Sequence, residues 1–357
     1  MNQLTDADRA AYGAWHDWRR GSGTEALIAA AVLAPSPHNN QPWRFRLDAD
    51  GVEIMADERQ RLGTLDPTDR ELHISLGCAT ENLVLAARAQ GFETQVSISD
   101  EPPRVRVDLA PSADGERNRL DSELFGVIGE RHTNRGPYTS VATSAGLLAE
   151  LGRVASPSDG LTVLWSTEWS ERDAFGRLLV DAAEAVAADV QQSEDNFRWY
   201  RRSADDIVRH PEGLTQDAQG LGGVRRVIAN ALPPSSRGQA DPFWIKQTRT
   251  VHTATAAAYG LLLTSNPDAV RQRVAGGRLL QRLELGATLR GLAFQPMTQI
   301  TQRIDRDRSL GRQPAFAPRV ADLVGTSDRE LLISFRVGYP ERPGRRSPRR
   351  PVGSFLL

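Results

Sequence analysis

Ala34-Pro35-Ser36-Pro37-His38-Asn39-Asn40-Gln41-Pro42-Trp43 breaks the chain between an alanine-rich run, Ala26 to Leu33, and the stretch Arg44-Phe45-Arg46-Leu47. Proline supplies no backbone donor and disfavours helix in the residue before it, so a loop is forced here. The loop is dense in hydroxyl, imidazole and amide groups and is pinned by Trp43. It can present several fixed hydrogen-bonding groups to a planar polar ligand. A capped connection from helix to strand is the alternative that the same chemistry allows.

On either side of this loop, helical apolar spacing predicts helices over Thr24–Leu33, Thr68–Gln90, Asp121–Arg131, Ser144–Leu151, Trp169–Gln192, Arg249–Leu263 and Pro267–Arg290. Asp66-Pro67 offers a cap followed by a first-turn proline for the second of these. Strands are expected at Trp43–Leu47, Val52–Ala56, Thr94–Ile98, Val105–Leu109, Leu161–Trp165, Phe294–Thr298 and Leu331–Val337. Helices and strands without strict alternation point to an α+β layer fold. The chain also repeats itself: Asn82-Leu83-Val84-Leu85-Ala86-Ala87-Arg88-Ala89-Gln90-Gly91-Phe92 returns two hundred positions later as Arg282-Leu283-Glu284-Leu285-Gly286-Ala287-Thr288-Leu289-Arg290-Gly291-Leu292. Each copy ends on a glycine suited to a left-handed C-cap and is followed by extended-looking sequence.

The 357 residues are 39% apolar and 25% charged, an ordinary globular composition, and the formal net charge of −1 selects neither nucleic acid nor an anionic membrane. The single cysteine, Cys78, excludes an intrachain disulfide framework and reads as a small packed residue in a helix. Six histidines show no H-E-x-x-H or comparable spacing, so no metal site is expected. Arg19-Arg20 ahead of Ala26–Ala34 has the outline of a twin-arginine signal. Trp18, Glu25 and the ligand-like loop immediately after it argue against cleavage there, and a cytoplasmic protein is expected. A stretch from Asn196 to Asp241 has little periodicity and would be a lid, a binding loop or a disordered tether. Arg342, Arg345, Arg346, Arg349 and Arg350 form a basic tail; no nucleic-acid module accompanies it.

The residue order of the opening loop resembles the A-P-S-x-x-N-x-Q-P-W loop of nitroreductase-family flavoproteins, with Asn39 and Gln41 at the matching places. Leu124-Phe125-Gly126-Val127-Ile128-Gly129-Glu130-Arg131-His132-Thr133-Asn134-Arg135 resembles that family's apolar helix ending in R-x-S-x-R, with Thr133 in place of serine. No clear R-x-S-x-R precedes the first loop, and the second half's counterpart of the loop is degraded to Val154-Ala155-Ser156-Pro157-Ser158-Asp159-Gly160. Within the family, the Acg-type branch is similar in Asp66-Pro67-x-x-Arg70-Glu71, in Trp199 and Arg201, in Arg209-x-x-x-Gly213-Leu214, in Arg336-Val337-Gly338-Tyr339-Pro340 and in Arg349-Arg350-Pro351-Val352.

The resemblance implies a nitroreductase-like α+β fold with two pseudo-repeats fused in one chain, each a mainly antiparallel sheet flanked by helices. Residues 1–118 would be the first half. Residues 119–357 would be the second, with 196–241 as a lid-like insertion and 342–357 as the tail. It implies FMN as cofactor. Arg131, Thr133 and Arg135, with Arg349 and Arg350 from the tail, would hold the phosphate, since guanidinium forks pair bidentately with phosphate oxygens. A solvated helix terminus is the reading of Arg131–Arg135 from spacing alone. Pro35, Ser36, Pro37, Asn39 and Gln41 would lie near the ring's pyrimidine edge and ribityl chain; His38 stands outside the matched pattern but can donate there.

The implied activity is hydride transfer through flavin N5 to a small electron-poor or conjugated substrate, with NAD(P)H as donor. This agrees with the lack of a carboxylate pair, a Ser-His-Asp order or a dinucleotide fingerprint in the sequence. A flavin-sequestering or regulatory protein with a closed lid, and a tailoring oxidase of biosynthesis, are the rival readings. The chain would act as a monomeric pseudo-dimer or pair again as a homodimer, with neither nucleic acid nor membrane as partner.

Overall fold

The computed structural model describes residues 6–112, 118–155, 160–201, 203–222, 236–326 and 328–357. Its first sheet is built from β1 (Trp43–Leu47), β2 (Gly51–Ala56), β3 (Phe92–Ser99) and β4 (Arg104–Pro111). The spatial order is β1-β2-β4-β3, with every neighbour antiparallel. After β5 (Leu161–Ser166), a two-residue parallel pair of β6 (Tyr200–Arg201) and β7 (Leu214–Thr215) stands apart. β8 (Ala258–Thr264), β9 (Ala293–Met297) and β10 (Glu330–Gly338) then join β5 in a second antiparallel sheet, ordered β5-β8-β10-β9.

The two sheets share one topology: first, second, fourth, third strand in chain order. In each, a long helix connects the second strand to the third: Arg70–Ala89 in the first sheet and Val270–Leu289 in the second. The fold is therefore α+β and internally repeated, as expected. The two long helices pack on each other at the centre of the molecule. Gly77 and Gly277 make that approach possible. A Cβ on Gly77 would come closer than 3.0 Å to the Val274 carbonyl, and one on Gly277 equally close to the Ile74 carbonyl. The pairs are related by the same two-hundred-residue offset as the sequence repeat. The crossing thus lies on the axis relating the halves.

Polar groups extend the seam. Gln281 Nε2 donates to Asn82 Oδ1 at 2.6 Å, and Arg278 and Arg282 both pair with Glu81 at 2.8 Å. The Cys78 thiol is buried in the same seam and lies 3.2 Å from the Gly277 carbonyl, with burial raising its pKa.

Several elements differ from expectation. The segment Arg249–Leu263, expected as a helix, is a single π turn over Thr248–His252 followed by β8. All seven residues of β8 are buried because its two faces pack into different cores, Ala258 and Leu262 in one and Tyr259, Leu261 and Leu263 in the other, so its unbroken apolar run carried no strand alternation. The helix expected over Asp121–Arg131 spans Arg119–Gly126 instead. Gly129 then sits where a Cβ would strike the Trp18 indole. The helix expected over Trp169–Gln192 divides at Asp189, whose carboxylate accepts from the Gln191 and Gln192 amides and starts a new helix, Val190–Phe197.

Asp66 does not cap at the position expected. The helix begins at Arg70, after Asp69 in the left-handed region, and the Asp66 carboxylate reaches forward to the Glu71 and Leu72 amides at 3.0 and 2.9 Å. Helices Asp6–Asp17, Arg237–Gln247, Gln299–Ser309 and Phe316–Val324 were not anticipated. Of the expected insertion 196–241, residues 202 and 223–235 lie outside the described residues, as do 156–159 of the degraded loop.

Replacing Gly277 by alanine should destabilise the protein by roughly 1–3 kcal/mol, the usual cost of overpacking a tight interior. Urea unfolding would register this as a lower midpoint. An unchanged midpoint would show that the central helices can separate freely.

Candidate functional site

The loop opened by Ala34 contains a 3-10 turn, Pro37–Asn39, and holds His38, Asn39 and Gln41 in the left-handed region with φ of 51°, 54° and 52°. Non-glycine residues enter that region at a cost, and three within four positions require an external restraint. The restraint is the C-terminal tail together with the segment after Tyr200. Asn39 Nδ2 donates to the Pro348 carbonyl at 2.9 Å, while its Oδ1 accepts from the Arg349 guanidinium. Gln41 Nε2 donates to the Pro211 carbonyl at 2.9 Å, and its Oε1 accepts from the Arg350 amide at 3.0 Å. Within the loop, Ser36 Oγ accepts from the Gln41 amide at 2.9 Å.

This restrained loop lines a pocket of about 1140 Å³, counting its solvent-open part. Pro35, Ser36, Pro37 and His38 form one wall. Thr133 and Arg135 approach from the second half, and Tyr200, Leu214 and Gln219 come from the expected insertion. A smaller adjoining pocket of about 340 Å³ shares Pro35, Ser36, Thr133 and Arg135 and adds Asn39, Arg131 and Arg349.

The structure therefore brings nine of the expected residues together and leaves two outside both pockets, Gln41 and Arg350. Gln41 is spent on the tail and on Pro211. Arg350 turns to the Gln41 carbonyl at 2.5 Å, to Asp57 at 3.6 Å and over the Phe355 ring. Asn39 reaches only the smaller pocket, and both ends of its amide are committed to protein.

The Arg131–Arg135 segment is presented by the second sheet. Asn134 donates its amide to the Phe294 carbonyl at 3.0 Å beside a bridge between Thr133 and Phe294. The fully buried Arg336 on β10 holds the next turn, donating to the Gly136 carbonyl at 2.8 Å and stacking on Tyr138. Around the smaller pocket, Arg131 pairs with buried Glu284 at 2.9 Å. The Arg135 guanidinium donates to the Ala218 carbonyl at 3.2 Å. Arg349 gives its donors to Asn39 and to backbone carbonyls, among them Val32, Leu33 and Ala34 just past the helix Gly23–Ala31. That placement sets its charge against the helix's negative end.

Among the described residues, Glu284 is the only carboxylate in ion-pair contact with any of these three arginines. Three guanidinium groups against one carboxylate leave two positive charges unbalanced. Desolvation by burial accordingly works against the charged forms of Arg135 and Arg349. An anion at this end would relieve it.

Among the described residues, several polar atoms of the wider pocket have no hydrogen-bond partner. Burial pushes the His38 imidazole down to about 4, and Arg135 and Arg198 act in the same direction, against its hydrogen bond to Asn196. The ring is neutral, donates from Nε2 to Asn196 Oδ1 at 2.7 Å, and so leaves Nδ1 as a bare acceptor. Burial also holds His252 neutral, with Arg336 and Arg135 adding to the effect; its Nε2 is unpartnered, as is Gln219 Nε2. His252 and Gln302 carry no motif in the sequence. Glu71 appeared there only as part of Asp66-Pro67-x-x-Arg70-Glu71, without a role, yet it lines this pocket. Among the described residues there is no group of three or more His, Cys, Asp or Glu that could hold a metal ion.

No protein-family model matches the chain. Among curated proteins, it is 28% identical over 281 residues to a Mycobacterium tuberculosis protein named "Putative NAD(P)H nitroreductase", covering 76% of this chain and 75% of that one. It is 24% identical over 342 residues to the one named with the suffix acg in the same organism, covering 92% and 93%. A solved FMN-dependent nitroreductase of Mycobacterium smegmatis in complex with NADPH aligns with 63% of this chain and 95% of its own, at 17% identity and a TM-score of 0.37, too loose an overlay to assign a fold. Among the described residues no helix is long and apolar enough to cross a membrane.

Asn39→Ala should remove the clasp on the tail. The expected result is a loss of about 1–3 kcal/mol in stability, as for a buried hydrogen-bonding group deleted from a charged partner. Faster tryptic cleavage among Arg342–Arg350 would accompany it; an unchanged digestion rate would show that the tail is held elsewhere.

Proposed function

We propose that this chain, related along nine-tenths of its length to proteins named NAD(P)H nitroreductases, binds FMN in the joined pockets and works as an oxidoreductase of nitroreductase type. The observation that carries the reading is the pair of positive charges without a carboxylate partner at the narrow end, Arg349 buried and Arg135 half-buried, which matches a phosphate dianion. The wider end agrees with it: neutral acceptors on His38 and His252 and a donor on Gln219 suit a flat ring edged with both donors and acceptors. When bound, the flavin supplies two-electron hydride chemistry, with NAD(P)H as donor and a small electron-poor or conjugated molecule as acceptor.

Arg131, Thr133 and Arg135 hold the phosphate in this reading, and Arg349, whose donors are spent on Asn39 and backbone carbonyls, adds its positive charge beside them. Pro35, Ser36, Pro37 and His38 shape the ring and ribityl end. Asn39, Gln41 and Arg350 position the loop and tail rather than touch the cofactor. The domains follow: residues 1–118 contribute the loop and residues 119–357 contribute the arginines. One asymmetric site per chain results.

A second reading, a flavin-holding protein with little turnover, is favoured by the ties between the insertion and the site. Asn196 bonds His38, the Pro211 carbonyl accepts from Gln41, and the Ala218 carbonyl accepts from Arg135. Anaerobic addition of NADPH separates the two readings. Bleaching of the flavin absorbance is expected for the oxidoreductase, and its absence supports the sealed holder.

Arg135→Ala should fold, as judged by circular dichroism, and bind FMN at least tenfold more weakly, since a charge-assisted phosphate contact is worth about 1.5–3 kcal/mol. Full flavin occupancy in this variant, or wild-type protein that binds no FMN, would overturn the assignment.

A further inference from the structure

We propose that Glu71 is the hydrogen-bond donor to the substrate, presenting a carboxylic acid O–H from Oε2 to an acceptor oxygen of a flat conjugated molecule bound in the wide pocket. The inference rests on the reading of that pocket as the chamber where substrate meets the flavin. Glu71 is buried in the first turn of the helix Arg70–Ala89 and lines the pocket. Its Oε1 accepts from Gln302 Nε2 at 2.8 Å, whereas Oε2 has no hydrogen-bond partner among the described residues. An amide N–H can only donate, so the oxygen facing Gln302 is the carbonyl-like one and the proton belongs on Oε2.

The scaffold fixes that aim. Arg70, one position earlier, is clamped in two hydrogen bonds of 2.6 Å to Asp305 on the helix Gln299–Ser309, the helix that also carries Gln302. The two helices therefore hold Glu71 and Gln302 at fixed separation. Leu65, Ile74, Tyr200, Phe243 and Trp244 supply apolar and aromatic walls to the same pocket, suited to a conjugated ring.

Burial, reinforced by the carboxylates around it, keeps Glu71 protonated. Burial raises the carboxyl to about 8, and the Asp66 carboxyl in the preceding loop and Asp305 on the facing helix push the same way, against the Gln302 amide and the nearby Thr298 hydroxyl. Asp66 is itself raised to about 6, mainly by burial, with Asp69 and Asp305 acting in the same direction. The cations on the neighbouring elements are Arg70, paired to Asp305, and Arg273 of the helix Val270–Leu289, which donates to the Pro267 and Thr68 carbonyls. Elsewhere in the pocket, His38 and His252 are held neutral, the Tyr200 phenol is raised to about 12 by burial, and Arg135 belongs to the phosphate end. Glu71 is thus an acid through neutral pH and ionises above it.

Equilibrium binding tests this without turnover. The probe is 1,4-naphthoquinone, titrated against the oxidised protein with no electron donor and followed by intrinsic fluorescence, from pH 6 to pH 10. The wild-type Kd should be flat below pH ~7 and rise toward tenfold per pH unit above pH ~8, because the ionised carboxylate cannot donate. In Glu71→Gln, an amide that still donates and does not ionise, the Kd should stay flat across the range. Glu71→Ala should bind about tenfold more weakly at pH 6. A wild-type Kd independent of pH, or the same pH dependence in Glu71→Gln, would overturn the proposal. Flavin content measured on the same samples keeps the two readings apart. Protein that holds no FMN but shows the Glu71-dependent profile refutes the cofactor and leaves the donor standing. Protein with full FMN and a flat profile does the reverse.

Discussion

The contact of Gly77 with Gly277 is the constraint on which the molecule depends. Two helices, each the crossover between the second and third strands of its own sheet, meet with backbone against backbone where a single methyl group would force them apart. That distance sets how closely the two sheets approach. It also brings the loop of the first half within reach of the arginines of the second. Ile74 and Val274 stand in the same relation to the opposite glycine, so the close approach is symmetric although the sequences around it have diverged.

The site that forms across this axis is not symmetric. Arg131 and Arg135 come from one half, the strained Pro35–Asn39 turn from the other, and Arg349 arrives on a tail that crosses back to the first half. Three left-handed non-glycine residues are tolerable because Asn39 and Gln41 exchange hydrogen bonds with that tail and with Pro211 and Gly213. The same bonds align Arg349 with the carbonyls that end the first-half helix. Backbone strain and buried positive charge, each costly alone, thus occupy one small region, where a bound anion would offset the second cost.

Much of the frame was legible before any coordinates. Seven strands were placed within a few residues, and the pairing of Asn82–Phe92 with Arg282–Leu292 anticipated the internal repeat. Burial explains the failures. β8 is apolar on both faces and reads as helix by composition, and the helix expected to run to Arg131 stops at Gly126, with Gly129 beyond it packed against Trp18. Asp66 reaches past three residues to cap from outside the helix. Of the candidate site, adjacency in sequence misled at the tail, where Arg349 faces the pocket and Arg350 stacks on Phe355 beside Asp57. Glu71 was visible only as a letter in a motif.

The sequence by itself determined the loop at Ala34–Trp43, the arginine spacing at Arg131–Arg135, the doubled helix and the α+β character, because proline chemistry, short spacings and apolar period are local properties. Only the tertiary structure decided which charges remain uncompensated, which amides are spent on the tail and which carboxyl faces a cavity. Those depend on groups more than a hundred residues apart in the chain, as Arg131 is from Glu284 and Glu71 from Gln302. Burial, which fixes whether such a group is charged, exists only once the halves have packed.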